Sequence, residues 1–102
     1  MELNIIQRIL IFSVLPQEGN LLTMKSLKGL KDKIVFTEEE VKEYEIRMDE
    51  GNYRWNPKKD SYKTFEITEG EEQLITTGLK ILDSEGKLTE QHLSLCDKFP
   101  IN

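Results

Sequence analysis

Apolar residues open the chain at helical spacing. Leu3, Ile6 and Leu10 share one face of a predicted helix over residues 3–15, and Ile5, Ile9 and Phe12 share the neighbouring face. By Ile9 to Phe12 the stripe nearly encircles the helix, and a helix apolar all round must be buried. In a small domain that surplus predicts a central helix, or one covered by a second copy: a homodimer through Ile5, Ile9 and Phe12. Pro16 ends the helix, and residues 17–20 read as a turn. Met24, Leu27, Leu30 and Ile34 predict a second helix that starts at Thr23 as N-cap, with Lys25, Lys28, Lys31 and Lys33 mostly off the apolar face. Gly29 costs that helix up to about 1 kcal/mol relative to alanine and would let another helix approach closely.

Thr37 and Glu40 form a capping box, and Glu38, Glu39 and Glu40 sit where the helix dipole favours anions. Val41 and Tyr44 give this short third helix an apolar face. From Tyr44 the period becomes two. Ile46 and Met48 alternate with Glu45 and Arg47, and Tyr53 and Trp55 alternate with Arg54 and Asn56. A third strand has Lys63, Phe65 and Ile67 on one side. The expectation is an antiparallel meander, turning at residues 49–52 and 56–60. Thr68 and Glu71 make a second capping box, opening a helix with Leu74, Ile75, Leu79 and Leu82 inward. Residues 83–86 break it. Thr89 starts a last helix, with Leu93, Cys96 and Phe99 inward and Pro100 closing it.

The pattern is therefore that of an α+β fold. About five short helices pack on a small antiparallel sheet of two or three strands, in a winged-helix-like element order. The 102 residues form a single domain. At 37% hydrophobic and 32% charged the composition is globular rather than disordered. The net charge of −5 counts against a protein that coats nucleic acid, without excluding a local basic patch. One cysteine, Cys96, gives no internal disulfide and fits a cytoplasmic setting. The opening segment lacks a basic n-region, and its apolar run over residues 9–15 is too short to span a membrane, which takes about 20 residues.

Candidate chemistry is sparse. The segment DSEGKLTEQH resembles a calcium loop, but placing Gly86 at the invariant glycine puts Ile81 and His92 where oxygen ligands are required. His92 and Cys96 share a helix face, yet two ligands do not make a zinc site, and no partner orients them for nucleophilic catalysis. The glutamates of residues 38–45 read as a solvated helix start or an acidic docking surface. Five carboxylates there and two more at residues 49 and 50 face only Lys42 and Arg47. In a winged helix the third helix reads DNA, and these glutamates would repel phosphates. No catalytic, cofactor or metal set emerges.

The richest stretch is NYRWNPKKDSYKTFEIT, which holds the only tryptophan. Arg54, Trp55, Lys58, Lys59, Tyr62 and Lys63 are the candidate interaction surface. Such residues suit protein contacts, and they also suit stacked bases and phosphates. Trp55 and Phe65 facing the core, with soluble lysines outside, is the simpler alternative. The strings LPQEGNLLTMKSLKGL, IRMDEGNYRWNP and LTEQHLSLCDKF together resemble small proteins encoded by phages and integrated elements of bacteria, a group with no assigned activity. That resemblance implies a small cytoplasmic protein that acts by binding. The expected function is a non-enzymatic protein–protein interaction module. The alternative is a nucleic-acid-associated regulator using the hairpin around residues 53–63.

Overall fold

A computed structural model describes residues 1–101. The chain runs β1 (Glu2–Leu3), α1 (Ile5–Val14), α2 (Leu21–Ile34), α3 (Glu38–Glu43), β2 (Arg47–Asp49), β3 (Asn52–Arg54), a 3₁₀ turn at Pro57–Lys59, β4 (Lys63–Thr64), α4 (Glu69–Ser84) and α5 (Glu90–Lys98). The fold is α+β, as the pattern of apolar positions requires. α2 lies along α4, and α1 packs against both α4 and α5. One apolar cluster joins Leu3, Leu10, Ile11, Leu27, Leu30, Ile34, Phe65, Ile75, Leu79, Leu95 and Phe99. A smaller cluster of Ile5, Tyr44 and Ile46, with Ile9, Phe36 and Trp55 against it, seats the β2–β3 hairpin.

The predicted caps at Thr37 and Thr68 stand as read. Each hydroxyl accepts from the N–H three residues on, and the glutamate there reaches back to the cap N–H. Two starts differ. α1 begins at Ile5 because Asn4 caps it, in a reciprocal pair with Gln7. α2 begins at Leu21, two residues before the expected cap, because Asn20 accepts from Thr23 N–H at 2.8 Å. Asparagine caps a helix at least as well as threonine.

The meander is corrected. β4 does not continue the hairpin; it pairs with β1, antiparallel, with Glu2 opposite Thr64 and Leu3 opposite Lys63. Leu3 therefore belongs to a strand and not to the first helix. The result is two separate two-stranded sheets. The 3₁₀ turn at Pro57–Lys59 takes the chain away from β3 before an adjacent third strand can form. On α5 the inward stripe is His92, Leu95 and Phe99, while Leu93 is 61% exposed. Among the described residues no helix is long and apolar enough to cross a membrane.

Candidate interaction surface

Arg8 breaks the apolar run of the first helix in sequence, and in the structure it is buried. Its Nη1 donates to Glu40 Oε2 at 2.6 Å and its Nη2 to Glu40 Oε1 at 3.1 Å. Its Nε and Nη2 also donate to the carbonyls of Ile34 and Val35, each at 3.0 Å. These carbonyls close α2, so one guanidinium caps that helix and neutralises the start of α3. The ring centres of Phe36 and Phe65 lie 4.2 and 5.0 Å from its central carbon. Glu40 is therefore no part of a solvated helix start, which corrects the reading of that glutamate.

Glu40 is held down from the ordinary 4.5 to about 2. Burial works the other way. It is outweighed by the Arg8 hydrogen bonds, the Thr37 N–H and the charges of Arg8 and Lys63. Glu71 moves in the same direction. Burial again opposes, and Lys33, 2.7 Å away, and the Thr68 N–H prevail. A folded value below the unfolded one gives stability that is complete above about pH 4.5 and lost as pH falls toward about 2. For Glu40 this is on the order of 3 kcal/mol. Urea midpoints are expected to drop steeply over that window, and less steeply in Glu40→Gln. Parallel curves for the two proteins would show that Glu40 does not carry the effect.

Around this cluster the chain builds an apolar depression of about 400 Å³, lined by Phe12, Val35, Phe36, Val41, Ile46 and Tyr53. The hairpin supplies one wall. Glu50 and Gly51 both take positive φ, 53° and 81°, and make a two-residue turn that matches the strand twist. Met48 stands opposite Tyr53, Arg47 opposite Arg54, and Asp49 opposite Asn52. Alternation therefore puts Ile46, Met48, Tyr53 and Trp55 on one face, and Arg47, Asp49, Asn52 and Arg54 on the other. Arg8, stacked on Phe36, fixes the floor.

Of the six residues singled out from the sequence, three are cations engaged in ion pairs within the protomer. Arg54 pairs with Asp49 at 3.2 Å, Lys59 with Glu45 at 3.6 Å and Lys63 with Glu40 at 3.7 Å. Trp55 is half-buried against the smaller cluster, and Tyr62 lies under Lys98, 5.4 Å from its ring centre. Lys58 is exposed on the 3₁₀ turn. Of the residues expected to cover a dimer face, Ile5 has no exposed surface and can touch no partner; Ile9 packs on the smaller cluster, and Phe12 reaches the depression. Sequence reading missed Val35, Val41 and Met48 as surface residues. The available signal was the period-two set Ile46, Met48, Tyr53, whose apolar side has too few helices to cover it.

Elsewhere the chemistry stays local. His92 Nδ1 accepts from Thr89 N–H at 2.9 Å, so it caps α5. Burial, with Asp83 and Asp97, pushes the Cys96 thiol up, away from the nucleophilic thiolate. A larger groove of about 580 Å³ lies between the first turns of α2 and the length of α4, with Leu22 and Ile81 on its rim. No family model matches the chain, and no curated protein or solved structure is significantly similar to it. The winged-helix-like element order thus gains no support from a solved structure.

Proposed function

We propose that the protein is a non-enzymatic binding module that takes a protein segment into the depression between α1, α3 and the β2–β3 hairpin. One observation carries the reading. Val35, Val41 and Tyr53, which are 52%, 39% and 46% exposed, line one depression with Phe12, and Met48, 59% exposed, stands opposite Tyr53 on the paired strand. Large apolar side chains collected at one exposed site are unusual for a monomer and mark contact surfaces. The charge around them specifies the partner. Of the seven carboxylates of residues 37–50, Glu40, Glu45 and Asp49 are paired with Arg8, Lys59 and Arg54, and Glu38, Glu39, Glu43 and Glu50 remain, with Lys42 and Arg47 the two cations of the segment. A complementary segment has apolar anchors flanked by lysine or arginine.

The nucleic-acid alternative has less behind it. Three of the cations it needs are already paired with carboxylates on neighbouring segments. The phage-protein resemblance is compatible with a binding role and adds no residue to it. The test is a selection of random peptides on the wild-type protein, followed by amide shift mapping of the enriched sequences. Basic-flanked apolar peptides are expected. They should shift Phe12, Val35, Val41 and Tyr53, and bind at least tenfold more weakly to Tyr53→Asp. Shifts centred on Lys58 and Lys59, or no loss in Tyr53→Asp, would refute the assignment.

A further inference from the structure

The open edge of β2 carries more information than its three residues suggest. Among the described residues the sheet holds only β2 and β3, so one side of β2 pairs with no strand there. A two-residue turn makes its flanking pair, Asp49 and Asn52, the hydrogen-bonded one. The next residue back, Met48, therefore turns its N–H and C=O to the open side. Edge strands are commonly guarded by charged side chains, and like charges repel an incoming copy. This edge is guarded by charges of both signs, placed symmetrically: Arg47 before Met48 and Asp49 after it.

We infer that β2 pairs with β2 of a second copy, antiparallel about a two-fold axis at Met48. In that register Met48 faces Met48 of the partner subunit, and the two exchange N–H to C=O hydrogen bonds. Arg47 then faces Asp49 of the partner subunit, and Asp49 faces the partner's Arg47. The protomer alone leaves this unresolved. Arg47 stands directly opposite Arg54, a like-charge pair that costs stability, and among the described residues it makes no ion pair. In the dimer the partner's Asp49, which bridges Arg54 at 3.2 Å within its own protomer, takes Arg47 as a second cation. A slip of one residue would turn the side chains to the wrong face, and a slip of two would set Arg47 against the partner's Arg47 or Asp49 against the partner's Asp49, so the register is specified. The interface is isologous, and its axis runs perpendicular to the four-stranded sheet. Both depressions then open on the same side. The inference rests on the binding reading above for its use: the dimer would offer two apolar sites side by side, and a bivalent partner gains by avidity.

The test uses charge exchange, because both residues are exposed; Asp49→Arg also removes the exposed Asp49–Arg54 pair, which contributes little to stability. Arg47→Asp and Asp49→Arg each place like charges across the axis. Sedimentation equilibrium over micromolar to millimolar protein should give a dimer for the wild type, and a dissociation constant at least tenfold weaker for each single variant. The double variant should recover the dimer. An equimolar mixture of the two single variants should also dimerise, because each supplies what the other lacks. A wild type that stays monomeric at millimolar concentration overturns the inference. So does a dimer that neither single substitution weakens. Peptide binding by the wild type separates the two proposals. If the peptides bind at the depression while the wild type stays monomeric at millimolar concentration, the depression stands and the self-pairing falls.

Discussion

Truncating Arg8 to alanine is expected to destabilise the fold by about 3–5 kcal/mol, the cost of leaving a buried charge without its partner. The loss has three physical parts. Glu40 keeps its burial and loses two charge-assisted hydrogen bonds. The carbonyls of Ile34 and Val35 lose their donors at the end of α2. The side chain stacked against Phe36 and Phe65 is replaced by a cavity. Lys63, 3.7 Å from Glu40, is exposed and flexible and recovers little of this. Urea unfolding of the purified variant measures the change directly. Removing both charges tells pairing from packing. Arg8→Met combined with Glu40→Leu is expected to lie well above Arg8→Ala in stability, because no uncompensated charge remains. A single variant within 1 kcal/mol of the wild type, a margin below the loss of even one buried charged hydrogen bond, would show that the cluster is not a stabilising one.

Gly78→Ala is expected to be the next most damaging change, at about 2–3 kcal/mol. A Cβ at this position would lie 2.1 Å from the carbonyl oxygen of Val14 and 3.0 Å from its carbonyl carbon. Those are backbone atoms at the end of α1, just ahead of Leu15 and the rigid Pro16, so they do not turn aside as a side chain would. The helices must separate, at a cost of roughly 1–3 kcal/mol or more for overpacking. Alanine's better helix propensity offsets up to about 1 kcal/mol of that. Gly29→Ala is the internal comparison. Its Cβ would meet only Glu71 Oε2, at 3.1 Å, and a carboxylate can move by a few tenths of an ångström. Thermal and urea unfolding should therefore rank Gly78→Ala far below Gly29→Ala. Equal stabilities would show that α1 and α4 yield to each other more easily than their contact implies.

These two glycines show what was legible in the sequence and what was not. Each sits inside a helical pattern and reads the same locally. Only the packing partner, Val14 in one case and Glu71 in the other, separates them. Capping boxes at Thr37 and Thr68 were readable because all their atoms lie within three residues. The hairpin turn was readable because a glycine with positive φ announces itself between alternating strands. The pairing of β1 with β4 was not, because it joins residues about sixty apart and each strand is two residues long. Leu93 and Leu95 are equally apolar, and the choice of which is buried is made by α1.

The candidate site was half visible for similar reasons. Phe12 was selected for its helix, and Tyr53 for its hairpin stretch, from two separate arguments. The fold brings them to one depression. The cations near them have carboxylate partners. Alternation alone puts Asp49 on the face of Arg54, but Glu45 and Glu40 lie fourteen and twenty-three residues from Lys59 and Lys63, and no helix-face or strand-face pattern joins those pairs.

The division of the apolar interior into a large cluster and a small one has a dynamic consequence. Among the described residues no ladder of backbone hydrogen bonds joins the β2–β3 ribbon to the β1–β4 pair, and the ribbon rests on a cluster of three buried side chains rather than thirteen. Such a unit opens and recloses on its own at a fraction of the global unfolding free energy. A guest gripping the ribbon can reshape it while the helical body keeps its architecture, so adaptability and robustness reside in different parts of the same small molecule.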